Sequence, residues 1–205
     1  MFYYRVEGDM RFLSHRDMIR LFERALVRTA LPVKYTEGFN PHARLSILLP
    51  RPVAIASDQE AIVIEFDEPI DGMNAARQLS EATPCGIDVF DTLRLECGER
   101  PRPRLARYRL ELAERVDETV HGQILEILES EVVMVQRKHP GTGKVRSVDI
   151  RPSIADLQID GQQAIEFALC PTSDVTARPA EIAGLVGLDP QTSNHRIRRT
   201  EIQWE

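Results

Sequence analysis

Three cysteines in 205 residues, Cys85, Cys97 and Cys170, are too few and too widely spaced for a disulfide framework or for a CxxC metal or redox pair. A reducing cytoplasm is the expected home. Long apolar runs are also missing: stretches such as residues 47–49 and 132–135 never exceed four residues, far short of the roughly 18 a membrane span needs. The first residues, Met1-Phe2-Tyr3-Tyr4-Arg5, contain no charged leader before an apolar stretch, so neither a secretory signal nor a membrane association is expected. Nor is there compositional bias. With 42% hydrophobic and 28% charged residues the chain has the balance of an ordinary globular protein, which excludes disorder, collagen and coiled coil.

The formal net charge of −6 argues at first against a polyanionic partner. The charge is unevenly spread, however. Residues 1–51 hold nine Arg and Lys against five Asp and Glu, whereas residues 52–100 hold three against eleven and residues 101–205 hold fourteen against sixteen. A basic N-terminal quarter therefore precedes an acidic middle.

Periodicity divides the chain into two similar runs of elements. Residues 2–6 are aromatic and β-prone, and Gly8-Asp9 is a turn signal. Ser14 is a good N-cap with Asp17 three residues on, and Met18, Phe22 and Ala25 lie on a helical apolar face, which predicts a helix over 14–30 ending before Leu31-Pro32. Strands are expected at 32–36, 44–49 and 60–66, where Ile62, Ile64 and Phe66 share a face. A helix over 71–82 with Met73, Ala76 and Leu79 inward and a strand at 86–95 complete the first run. Residues 99–104 carry two prolines and three arginines and read as an exposed linker. The second run is a strand at 105–113, a helix at 116–130 with Val120, Ile124, Ile127 and Leu128 on one face, and a buried-type strand at 132–136. A turn at 139–144, strands at 148–159 and 164–169, a short helix at 178–186 and a final strand at 197–204 follow. Each run reduces to βαββαβ, so the expected fold class is α+β: tandem ferredoxin-like units, 1–98 and 105–205, with antiparallel sheets and helices on one face.

The stretch from Met10 to Arg44 is the most distinctive. Met10-Arg11-Phe12-Leu13-Ser14-His15-Arg16-Asp17, then Phe22-Glu23-Arg24-Ala25-Leu26-Val27-Arg28, then Leu31-Pro32-Val33-Lys34-Tyr35-Thr36-Glu37-Gly38-Phe39-Asn40-Pro41-His42-Ala43-Arg44 resembles an uncharacterised bacterial family described as radical SAM-linked proteins. Thr36 stands where that family usually has Ser, and Ala43 where it usually has Pro. The resemblance implies a radical SAM protein as partner, and an association with RNA or the ribosome. This chain has no CxxxCxxC triplet, so the iron–sulfur chemistry would belong to the partner and no cofactor is expected here. An accessory module rather than an enzyme is the expectation.

The residues themselves suggest how such a module would work. Arg16, Arg20, Arg24 and Arg28 recur every four residues, each advancing about 40° around the helix, and form a slanting stripe beside the apolar face. With Lys34 and Arg44 they suit phosphate contacts, Arg through its planar fork. The blander alternative is a solvated helix face. In the loop Gly38-Phe39-Asn40-Pro41-His42, Phe39 would stack on an unpaired base, with Tyr35, Asn40 and His42 beside it. Alternatively Phe39 plugs the sheet and the loop is a rigid turn. Two competing functions remain: docking of the partner protein, and an independent RNA-cleaving or hydrolytic activity using His15 and His42 with Asp17. Residues i and i+2 on a helix diverge by about 200°, which favours Asp17 as a capping carboxylate and leaves metal ligation without a convergent set. Gly141-Thr142-Gly143-Lys144 fails as a phosphate loop, because Lys138 stands at its first glycine and Val145 replaces Ser or Thr. It reads instead as a hairpin tip, with Arg137, Lys138 and Arg146 as a secondary basic patch to which Arg196, Arg198 and Arg199 would add.

Overall fold

The computed structural model describes residues 1–96, 98–139, 141–171, 175–189 and 193–205. Cys97, named above, and Pro140, within the turn expected at 139–144, lie outside them. Cys85 and Cys170 are free thiols. The chain divides into two compact units, residues 1–102 and 103–205.

In the first unit, β1 (Phe2–Val6), β2 (Leu45–Ile47), β3 (Ala56–Ile64) and β4 (Ile87–Thr92) lie in the order β4-β1-β3-β2, and the pairings are antiparallel. Two helices, α1 (His15–Arg28) and α2 (Gly72–Ala82), pack on one face. The reason is period two meeting period 3.6. Phe2, Tyr4 and Val6 alternate inward on β1, and Met18, Phe22, Ala25 and Leu26 of α1 and Ala75, Ala76 and Leu79 of α2 close over them. Phe22 is fully buried and meets Tyr4 edge-on, ring centroids 4.9 Å apart.

Several expectations shift at this level. The strand over 32–36 does not form; two isolated bridges, Val33 to Phe66 and Tyr35 to Ala43, replace it, because Pro32 offers no amide and Val33 donates locally to the Leu31 carbonyl. The strand over 44–49 shrinks to β2. Met73, expected inward, is exposed on the solvent side of α2, whose buried stripe runs through Ala75, Ala76 and Leu79.

In the second unit, β5 (Pro103–Glu111), β8 (Ile154–Asp160), β9 (Ala164–Leu169) and β10 (Ile197–Trp204) lie in the order β10-β5-β9-β8, again antiparallel. The helices are α3 (Glu118–Glu129) and α4 (Pro179–Leu185). Tyr108 of β5 and Phe167 of β9 stack at 5.1 Å. Pro103 and Arg104, read as linker, open β5. The expected strand over 148–159 is two strands, interrupted by a 3-10 turn at Arg151–Ser153 where Pro152 removes a ladder donor.

The buried-type strand expected at 132–136 is the largest departure. It becomes β6 (Met134–Lys138), which pairs only with β7 (Val145–Asp149) in a separate two-stranded ribbon, and both Val132 and Met134 are exposed. Among the described residues the chain is thus a mixed α/β structure with four α-helices and a mostly antiparallel sheet. No helix among them is long and apolar enough to cross a membrane.

Candidate functional site

Helix α1 begins where Ser14 caps it: the Ser14 hydroxyl oxygen accepts the Asp17 amide at 3.2 Å. With the buried stripe at Met18, Phe22, Ala25 and Leu26, a 100° step per residue puts Arg16, Arg20 and Arg24 on the outward face and Arg28 on its flank. All four are exposed. Arg20 lies 3.7 Å from Asp17, and Arg28 donates to the Ala82 carbonyl at the end of α2. Arg16 and Arg24 have no ion pair among the described residues.

The Gly38 loop is the end of a closed hairpin. Tyr35 bridges Ala43, the Thr36 amide donates to the His42 carbonyl at 2.8 Å, and the His42 amide donates to Thr36 Oγ1 at 3.0 Å. These bonds set off residues 37–41 as the tip. Gly38 has φ +124°, a conformation that strains any residue with a Cβ. The next residue, Phe39, is entirely exposed at 106% relative accessibility, so it does not plug the sheet. Tyr35, Asn40 and His42 are exposed as well.

His42 Nδ1 lies 3.7 Å from Glu23 Oε1. Glu23 is one turn on from Arg20, on the same side of α1, so the loop and the arginine stripe belong to one surface. Lys34 and Arg44 sit at its base. Their backbones are joined through the Lys34 carbonyl at 2.8 Å, and the Arg44 guanidinium is 3.3 Å from Glu65. Arg44 is therefore partly neutralised, which leaves the α1 arginines as the stronger phosphate candidates.

The acid–base set is not assembled. His42 rests on Glu23, eight residues and about 12 Å along the helix axis from His15. Asp17 accepts the Ser14 hydroxyl at 2.6 Å, and that bond, with Arg20 and Arg16 nearby, holds its carboxyl below the usual carboxylate range. A lowered carboxyl favours the folded state above the unfolded value of about 4, and the benefit is lost as the pH falls through the folded value. A proton titration by NMR should therefore find Asp17 below ordinary aspartates, and Ser14→Ala should move it back up. His15 is exposed on the rim of a shallow hollow with Tyr4, Leu13, Met18, Ile47 and Arg51. No group of three or more metal-ligating side chains occurs among the described residues.

Two residues outside the expected set also shape this region. Arg51 donates to the carbonyls of Arg11 at 2.8 Å and Pro52 at 3.1 Å, and to that of Ile55, tying the 3-10 turn Gly8–Phe12 to the segment before β3. Its position beside Pro52 in an aperiodic stretch gave no signal of this. Phe12 lies within the Met10–Asp17 motif, and it is half exposed with the Arg11 guanidinium 5.0 Å from its ring centroid.

In the second unit the predicted patch separates into paired and unpaired cations. Arg137 forms a two-pronged pair with Glu181, both contacts at 2.7 Å. Arg199 is buried, with its Nε donating to the Tyr108 hydroxyl at 3.1 Å, and so adds nothing to a surface. Lys138, Lys144 and Arg146 are exposed without an ion pair among the described residues.

A model of the family described as "Uncharacterized protein conserved in bacteria (DUF2344)" matches residues 1–179. No curated protein matches the chain.

Proposed function

The chain belongs to this uncharacterised bacterial family, and on that premise we propose that it is an accessory RNA-recognition module that serves a radical SAM enzyme in ribosomal or transfer RNA modification. The observation that carries the reading is Phe39, a fully exposed aromatic on a hairpin tip held by Thr36 and adjoining a helix face where Arg16 and Arg24 have no ion pair among the described residues. An exposed aromatic is costly to leave in water, and one beside arginines offers a base both a stacking platform and phosphate partners. Arg16, Arg20 and Arg24 follow the backbone, Arg28, Lys34 and Arg44 extend the basic surface, and Tyr35, Asn40 and His42 frame the base. Gly38 permits the turn that lifts Phe39 outward.

The strand orders support a ferredoxin-like reading of each unit. In both, the first strand is central and flanked by the third and fourth, with the second strand outside the third, once the β6–β7 ribbon is treated as an insertion. The radical SAM partner rests on the likeness of the Met10–Arg44 motifs to radical SAM-linked proteins, and it would supply the chemistry.

The test is fluorescence anisotropy of a labelled single-stranded RNA across a salt series. Affinity should fall steeply with salt, and the double variant Arg16→Glu with Arg24→Glu should lower the log–log slope by about 1.4, from about 0.7 per phosphate contact. Absence of wild-type binding at low salt overturns the reading.

A further inference from the structure

The β6–β7 ribbon adds no strand to the sheet of the second unit, whose four-strand order is complete without it. At about 3.4 Å per residue its five-residue strands make an arm of roughly 17 Å. The ribbon is held at its base and, through Arg137, near its outer end. Val133 and Val148 are buried, the Ile150 amide donates to the Val133 carbonyl at 2.9 Å, and the Arg137–Glu181 pair fastens the ribbon to α4. Arg151 adds bonds from its guanidinium to the carbonyls of Ser130, Leu128 and Ile154.

Up to Ser147 the charge along the ribbon is of one sign. Residues 134–147 contain Arg137, Lys138, Lys144 and Arg146 and no Asp or Glu. Since Arg137 is consumed by Glu181, Lys138, Lys144 and Arg146 remain along the ribbon and at its tip without an ion pair among the described residues. His139 shapes that tip, its Nδ1 accepting the amides of Gly141 and Thr142 at 3.1 and 3.2 Å. In a chain of net charge −6, an anchored insertion with no acidic residue along its exposed length is complementary to a polyanion.

We propose that the β6–β7 ribbon is a second RNA-contacting element, with Lys138, Lys144 and Arg146 on backbone phosphates. This rests on the reading of the chain as an RNA-recognition module. It assigns the ribbon affinity without sequence preference, since lysine and arginine contacts to phosphate carry no base information.

The test uses the full chain with labelled single-stranded and hairpin RNAs. In the triple variant Lys138→Glu, Lys144→Glu and Arg146→Glu, the log–log salt slope should fall by about 2 and affinity at low salt by about tenfold or more, equally for RNAs of different sequence. A circular dichroism melt identical to wild type confirms that the fold is intact, and single Lys138→Gln and Lys144→Gln variants, each lowering the slope by about 0.7, serve if the triple variant does not fold. If wild type binds RNA, loses it on reversal of Arg16 and Arg24, and keeps its slope in the ribbon variants, the ribbon proposal is overturned and the first-unit site stands; an acidic protein surface then becomes the ribbon's occupant. If the ribbon variants lose affinity while the α1 variants do not, the ribbon stands and the α1 site fails. If wild type binds neither RNA, both fail.

Discussion

Phe39→Ala is expected to weaken binding of single-stranded RNA by about 5- to 150-fold, the effect of removing one aromatic–base stack worth roughly 1–3 kcal/mol. The side chain is entirely exposed, so its removal leaves no cavity, and the melting temperature should stay near wild type because surface changes of this kind fall within about 0.5 kcal/mol. The salt slope should also be unchanged, since Phe39 carries no charge. This combination separates stacking from the proposed phosphate contacts of α1, which would act mainly on the slope. Phe39→Trp should retain binding. Equal affinities for wild type and Phe39→Ala would remove the loop from the interface, whatever the arginines do.

The second large effect is on the fold. Phe22→Ala should destabilise the protein by about 3–5 kcal/mol, because a fully buried aromatic is lost together with its edge-on contact to Tyr4 and the core closes only partly around the gap. For a chain of this size that corresponds to a drop on the order of 10 °C in melting temperature. The control is Val27→Ala, five residues along the same helix and exposed at 74%, which should change the midpoint little. A midpoint for Phe22→Ala within a degree of wild type would contradict the packing of α1 on β1.

Helix α1 was readable in advance because each of its determinants is local. Ser14 supplies the cap, Met18, Phe22 and Ala25 supply the stripe, and the same 100° step that sends these inward sends Arg16, Arg20 and Arg24 outward. The mix of strands and helices along the chain was likewise a sum of local patterns. Pairing is another matter. The run Val132–Val135 has the composition of a buried strand, yet its position in the chain follows a complete α3, and its last two residues open β6, which pairs with the neighbouring Val145–Asp149. A nearby partner wins because closing a short loop costs less entropy than reaching a distant strand.

The candidate site shows the same division. Gly38 in a left-handed turn was foreseeable from glycine chemistry, but the exposure of Phe39 and the approach of His42 to Glu23 depend on where a hairpin and a helix meet. Periodicity is silent on that. It is equally silent on Arg51, whose carbonyl partners lie up to 41 positions away, and on Arg137, whose partner Glu181 is 44 positions on.

The two faces of α1 also determine how genetic variation in this protein would present itself. Substitutions at Met18, Phe22, Ala25 or Leu26 would lower the amount of folded protein in the cell and so reduce every phenotype together, whatever the ligand. Changes at Arg16, Arg20 or Arg24, one or two positions away in sequence, would leave abundance intact and remove a single phenotype. A saturation library read out for abundance and for binding in parallel would therefore show two interleaved series within fourteen consecutive residues, out of phase by half a helical turn.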